Sequence, residues 1–393
     1  MTRPLTRRQL LERAALGGAA LSLPAFLASC GGSGGIEGTA TTTAGGATTG
    51  SSKKLASKLT ISNWTLYIDV DEKTKAYPTL EQFTDETGVE VDYIEDVNDN
   101  DEWFGKNQAA LAKGQAVGRD VTVLTDWMAA RMVRLGYVEK LDKQAIPNSS
   151  NLVDALASPG WDPDREYSLP WQSGLTGIGY DPEKVGRELT SVGQLLDDPK
   201  LKGKVTFLTE MPDTMGLMIL DGGGDPTKVV KAEFDRAIDR LQRGVDSGQI
   251  RQFTGNDYSG PLAKGDIWAC VAWSGDMVQL TADNPKLKFV IPEAGGMIWT
   301  DNMLIPTGGD VYTASTFMNY VYDPKVAAQI EAYVNYICPV EGAVEEIEAI
   351  DPSLASNQLI FPEAATLAKV KIFDAEAADD KAYKEAFQAV IGA

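Results

Sequence analysis

The sequence predicts an α/β fold. Two observations carry this: short period-two apolar stretches recur along the chain, and stretches with apolar residues three or four apart separate them. Leu59 to Ser62 is a short strand, and Val89, Val91 and Tyr93 alternate cleanly. Leu80 and Phe83 between them mark a helix that Gly88 can stop. Asp120 to Leu124 is a strand, followed by a helix around Ala129, Met132 and Val133 that ends near Gly136. Val205 and Phe207 alternate in the next strand, and Phe234, Ile238, Leu241 and Val245 follow at helical spacing. Ile267 to Trp273 and Leu287 to Ile291 alternate again, and Val326, Ile330, Val334 and Ile337 share one face of a late helix. Strands separated by helices of this length imply a largely parallel sheet. At 393 residues the chain exceeds what one core usually organises, so two lobes are expected.

Composition removes several function classes. There is no histidine, which excludes Ser-His-Asp or Cys-His nucleophiles, His-ligated zinc and an imidazole base. The 56 acidic against 36 basic residues argue against nucleic acid, whose phosphates need a basic face. The acid excess serves solubility or a cationic partner. No nucleotide-binding glycine signature follows a strand, and Gly222 to Gly224 read as a turn because Asp221 and Asp225 flank them. The cluster Asp96, Asp99 and Asp101 lacks the glycine and late glutamate of a calcium loop and reads as a solvated loop. No cofactor and no metal are expected.

The N-terminus reads as an export signal, against the alternatives of a plain transmembrane anchor or a signal with an incidental cysteine. Arg3, Arg7, Arg8 and Arg13 precede an apolar run from about Ala14 to Ala28 that is too short to span a bilayer comfortably. Thr6-Arg7-Arg8-Gln9-Leu10-Leu11 resembles a twin-arginine signal, and Leu27-Ala28-Ser29-Cys30-Gly31 resembles a lipobox in which Cys30 is lipidated. Residues 31–57 then form a flexible tether, because the Gly/Thr/Ala/Ser run over 31–52 cannot bury apolar surface. The reach of residues 31–52 is about 25 Å. Loss of residues 1–30 removes four arginines and one glutamate, leaving 32 basic and 55 acidic residues and a charge of −23. Cys270 and Cys338 remain, either as one disulfide or as two buried thiols, with the thiols preferred.

Aromatic residues beside carboxylates at the C-terminal ends of strands are the informative pattern. The four instances are Asn63-Trp64-Thr65-Leu66-Tyr67, Thr125-Asp126-Trp127, Trp273-Ser274-Gly275-Asp276 and Trp299-Thr300-Asp301. Ligands of open α/β sheets bind outside those ends. Rings that pack on methylenes, and carboxylates that hold ammonium groups, suit an elongated organic cation. Any one tryptophan is as readily a core residue, but four in the same layout make that account weaker.

Here the chain resembles the spermidine/putrescine-binding proteins, the capture subunits of polyamine ABC importers. The residues are Leu59-Thr-Ile-Ser-Asn-Trp-Thr-Leu-Tyr-Ile68, then Tyr167 to Trp171 with Gly174 to Tyr180. Gly265-Asp266 with Trp273 to Asp276, Ile291 to Gly296 with Trp299 to Pro306, and Asp323-Pro324 to Tyr336 and Pro339 follow in order. The resemblance implies a two-lobed periplasmic-binding-protein fold of type II, with mixed, mostly parallel sheets and a ligand cleft between lobes. Lobe 1 would comprise 58–172 plus 301–345, and lobe 2 173–300 plus 346–393. It also implies ligand-binding roles for Trp64, Tyr67, Thr125 and neighbouring Asp126, Trp273, Asp276, Trp299, Asp301 and Tyr336. The chain departs from the family after Val205-Thr-Phe207. Glu210 and Asp213 keep the spacing of two family carboxylates but are displaced, and a helix N-cap is the plain alternative for Asp213.

These readings predict a lipid-anchored extracytoplasmic monomer that binds a polyamine, or another small cationic solute, and passes it to ABC permease subunits without performing chemistry. Rival readings are the same fold with a betaine-like cation, amino-acid derivative or sugar as ligand, a secreted hydrolase with two carboxylates, and a purely structural lipoprotein.

Overall fold

The computed structural model describes residues 53–71, 73–97 and 99–392. The expected signal peptide, Cys30 and the tether up to residue 52 lie outside them. Among the described residues ten strands form one sheet. They are β1 (Lys58–Trp64), β2 (Glu90–Val97), β3 (Val121–Thr125), β4 (Ser168–Tyr180), β5 (Val205–Leu208), β6 (Ile250–Thr254), β7 (Ala269–Trp273), β8 (Lys288–Val290), β9 (Gly296–Leu304) and β10 (Val370–Lys371). The order is β2-β1-β3-β9-β4-β7-β5-β6, with β10 on β9 and β8 on β4.

Two parallel groups flank an antiparallel pair. β1 pairs parallel with β2 and β3, and β5 with β6 and β7. Every antiparallel pairing among the described strands involves β4 or β9. Asp301 to Leu304 of β9 pair with β3, whereas Thr176 to Tyr180 of β4 pair with β7. The chain therefore passes from one group to the other along β4 and returns along β9. The expected separate sheets are one continuous path because these two strands are long enough to serve both groups.

β4 escaped the reading of apolar periodicity for a physical reason. All 13 of its residues are buried, so no alternation marks a wet face. It also contains Pro170 and three glycines, which resemble turn signals. Pro170 is tolerated where the β4–β9 register shifts, between Pro170 and Gln172.

Helices cover the sheet as their apolar spacing requires. The helix Lys231–Asp246 buries Phe234, Ala237, Leu241 and Gly244, a single stripe. The helix Pro78–Thr87 buries Leu80 and Phe83 and stops at Gly88, whose φ of 75° is left-handed. One core holds Leu59, Ile61, Phe83, Phe317 and Tyr322. Another holds Phe207, Phe234, Leu241 and Val271, and continues through Trp103, Phe104 and Trp127 to Phe373 and Phe387. No helix among the described residues is long and apolar enough to cross a membrane.

Several details refine the sequence reading. Residues 53–57, assigned by composition to the tether, lie against the body. Leu55 packs on the first core, Lys53 pairs with Asp142, and the Ala56 N–H donates to Thr313 Oγ1 at 2.8 Å. Cys270 and Cys338 are both buried and free. The Asp96 to Asp101 cluster has structural roles: Asp96 pairs with Arg119, Asp99 caps the helix Asn100–Leu111, and Asp101 pairs with Lys384. Phe317 is 1% exposed and meets Phe83 edge-on at 5.4 Å. Phe317→Ala should destabilise the fold by about 3–5 kcal/mol in urea unfolding, since the cavity it leaves has no way to refill.

Candidate ligand-binding site

The site gathers where the two parallel groups meet β9. β1 ends in Trp64, β3 ends in Thr125 and leads into Asp126, and β7 ends in Trp273. Trp299 and Asp301 differ from the expectation of a strand end: they lie within β9. β9 runs antiparallel to β3, so its middle comes level with the end of β3, where Thr125 faces Asp301. Tyr336 follows Asn335, which closes the helix Pro324–Val334 in a left-handed conformation with φ 60°.

These residues line a cavity of ≈ 1090 Å³, counting the space open to solvent. Of the eleven expected ligand-binding residues, ten line it: Trp64, Tyr67, Thr125, Asp126, Glu210, Asp213, Trp273, Trp299, Asp301 and Tyr336. Asp276 is not among them. It lies beneath, where it accepts from Tyr258 Oη at 2.8 Å and Tyr336 Oη at 3.3 Å. Its carboxylate orients the cavity tyrosine from behind.

Two deep carboxylates are held by neutral donors. Asp301 is 4% exposed and accepts from Tyr67 Oη at 2.8 Å and Thr125 Oγ1 at 2.6 Å. Asn100 fixes Thr125 in turn, accepting its N–H at 3.0 Å and donating to its hydroxyl at 2.9 Å. Asp213 accepts from Thr176 Oγ1 and from Trp273 Nε1 at 3.2 Å, and Trp299 Nε1 donates to the same threonine at 3.1 Å. Asp213 therefore does not cap its helix; it sits in the first turn and points to the site. Glu210 lines the cavity too, so both displaced carboxylates reach it. Asp126 is engaged by β9, accepting from the Thr300 N–H and Asn302 Nδ2, each at 2.9 Å.

The rings form a continuous surface. Tyr67 meets Tyr336 edge-on at 5.7 Å, Tyr336 lies 5.5 Å from Trp299, and Trp299 meets Trp273 edge-on at 6.4 Å. Glycine makes this possible at two points. A Cβ on Gly174 would overlap the Trp299 ring, and one on Gly275 would overlap the Tyr336 ring.

Among the described residues, no lysine or arginine lines the cavity. Burial accordingly raises its acids: Asp301 to about 7, Asp213 to about 6 and Asp126 to about 6. Glu210 is pushed well above the usual range by burial and then by Asp99, Asp213, Asp101 and Asp301. Carboxylates without a basic partner, walled by rings, are suited to an organic cation. No group of three or more acids or thiols among the described residues is placed to hold a metal ion.

Sequence reasoning missed part of the lining. Trp127 stood beside Asp126 in a strand-end motif, but Trp161, Met297, Ile298, Ile372 and Phe373 had no such mark. Trp161 reaches the cavity from a turn, Met297 and Ile298 from the start of β9, and Ile372 and Phe373 from the segment after β10, a two-residue strand with no periodicity of its own.

The raised acids make stability depend on pH. A carboxyl whose pKa is raised on folding contributes stability that is fully present below its unfolded value, about 4, and lost as pH rises through the folded value. For Asp301 and Asp213 that loss runs up to about pH 7. The ligand-free protein should gain Tm from these groups as pH falls from 7.5 to 5, and Asp301→Asn should flatten that slope in a calorimetric pH series.

The family model for bacterial extracellular solute-binding proteins matches residues 79–360. The spermidine/putrescine-binding periplasmic protein of Escherichia coli K12 is 24% identical over 330 residues, covering 83% of this chain and 89% of that one. The putrescine-binding periplasmic protein PotF of the same strain is 28% identical over 331 residues, 79% and 85% of the two chains. The solved structure of PotD, a spermidine/putrescine ABC transporter substrate-binding protein from Streptococcus pneumoniae, shares the fold with a TM-score of 0.69. It is 23% identical, over 85% of this chain and 98% of that one. The cleft between two parallel strand groups, the shared fold and the matched length agree: this chain belongs to the bacterial extracellular solute-binding proteins.

Proposed function

We propose that this protein captures a polyamine of the spermidine/putrescine type outside the cytoplasm and delivers it to the permease subunits of an ABC importer. The observation that carries the reading is a cavity lined by four carboxylates and a chain of aromatic rings, with no basic side chain among the described residues. The similar Escherichia coli proteins, named for spermidine and putrescine, support the choice of cation. Trp64, Trp273, Trp299 and Tyr67 pack on the methylene chain, while Asp301, Asp213 and Glu210 neutralise amines. Thr125 and Asp276 act through their partners, the first by aiming Asp301 and the second by steadying Tyr336. Each ring contact with an ammonium contributes roughly 0.5–2 kcal/mol. Binding needs no chemistry on the ligand.

In this reading 58–172 with 301–345 and 173–300 with 346–393 act as two lobes that close on the ligand. β4 and β9, the crossings, bend where the register of β4 shifts. The protein is a monomer held at the membrane by lipidated Cys30, and the acidic residues outside the cavity keep its surface solvated.

Asp301→Asn or Trp273→Ala should each weaken spermidine or putrescine binding at least tenfold in titration calorimetry, about 1.4 kcal/mol. Unchanged affinity in both variants would sink the assigned site. Gly174→Ala should weaken binding similarly by displacing Trp299, with the carboxylates untouched. Since the amines need ionised acids, wild-type affinity should fall as pH drops from 8 to 5, through the values near 7 and 6 of Asp301 and Asp213.

A further inference from the structure

One deeply buried acid outside the ligand cavity has no cation to balance it. Glu331 lies in the helix Pro324–Val334, is 0% exposed and does not line the cavity. Neither of its carboxyl oxygens has a complete hydrogen bond among the described residues. No lysine or arginine among them pairs with it; the Gln172 side chain and the Tyr336 N–H are the polar groups turned toward it. The titratable group beside it is the Cys338 thiol, itself buried. An ionised carboxylate is unfavourable in that setting, because nothing replaces the water it has lost.

Gln172 presents the matching defect. It is 3% exposed, and its Oε1 also lacks a partner among the described residues. A carboxylate and that oxygen are both acceptors and repel each other. A neutral carboxyl has an O–H to give. Carboxyl and carboxamide can then face each other through two hydrogen bonds, acid O–H to amide oxygen and amide N–H to the acid carbonyl. A single proton on Glu331 therefore satisfies both side chains.

The place of this pair connects it with the site. Gln172 stands on β4 opposite Asp301 of β9, where the register shifts after Pro170. Ser173, next along β4, is bridged to Ile337: the Ile337 N–H donates to the Ser173 carbonyl at 2.7 Å, and the Ser173 N–H donates back at 3.0 Å. Tyr336 lies between Glu331 and that bridge, and its ring meets Tyr67 and Trp299 on the cavity wall. Glu331 thus touches the backbone that aims one ring and the strand residue opposite the deepest acid.

We infer that Glu331 is a neutral acid hydrogen-bonded to the Gln172 carboxamide, and that this pair is a positioning element that aims the Tyr336 ring at the ligand. The positioning role rests on the polyamine reading; the pairing does not. Burial pushes the Glu331 carboxyl well above the usual range, the direction that the pairing requires.

Two measurements test this. Infrared difference spectra of the ligand-free protein at about pH 8 compare wild type with Glu331→Gln. A protonated-carboxyl C=O band should be present in the wild type and missing from the variant; without such a band the pairing is overturned. Spermidine titration calorimetry then compares Glu331→Leu, Glu331→Gln and Tyr336→Ala. Glu331→Leu leaves the Gln172 amide unanswered and should weaken binding at least fivefold. Glu331→Gln can make the same two bonds and should restore affinity to within twofold. In the Tyr336→Ala background, Glu331→Leu should cost less than a further twofold, because the ring it aims is gone. No loss in Glu331→Leu, no rescue in Glu331→Gln, or an equal loss with and without the Tyr336 ring overturns the positioning role, while spermidine binding by the wild type leaves the polyamine reading standing. A wild type that binds neither spermidine nor putrescine ends that reading and the positioning role with it, and the infrared band still decides the pairing.

Discussion

A carboxylate buried without a cation of its own is the constraint on which the site depends. Asp301 is nearly sealed from water and receives, among the described residues, the hydroxyls of Tyr67 and Thr125. Such a group is costly to ionise, which is why burial carries its pKa to about 7. The cost turns into selectivity when a ligand brings the missing positive charge. Asp213 repeats the arrangement with Thr176 and the Trp273 indole as donors. In both cases the donors belong to the aromatic floor or to the strands beside it, so rings and acids are positioned by one hydrogen-bonded framework.

That framework depends on β4 and β9. Thr176 lies on β4 and Asp301 on β9, and these strands also carry the chain between the two parallel groups. A change in the angle between the groups would therefore move the acids relative to Trp64 and Trp273, which stand on β1 and β7. On the proposed function, ligand recognition and the geometry of closure would be linked through the same pair of strands.

Where apolar residues alternate or recur every third or fourth position, the sequence was legible. β1, β2, β3, β5 and the helix Lys231–Asp246 fall where Ile61, Val91, Val123, Phe207 and Phe234 put them. β4 was not legible in that way, because burial on both faces erases alternation and its glycines are there to seat Trp299 and Phe289 rather than to turn. Trp64 and Trp273 could be picked out because they close strands beside polar or acidic residues, and Asp301 because it stands two residues after Trp299, although both of these lie within β9. Asp276 carried the same mark, yet it faces Tyr258 and Tyr336. Residue type fixes what a side chain can donate or accept; which neighbour it meets is decided by packing. Trp161, Ile372 and Phe373 reach the cavity through long-range contacts that leave no local pattern.

The state of the two body cysteines has a practical consequence. Cys270 and Cys338 are 0% and 5% exposed, and burial pushes both thiols up, away from the reactive thiolate form. A thiol introduced at exposed Ile372 would be the accessible one among the described residues, and it would sit at the cavity mouth. A fluorophore attached there would report occupancy of the cleft directly, so the body needs no cysteine removal to serve as an optical sensor for its own ligand.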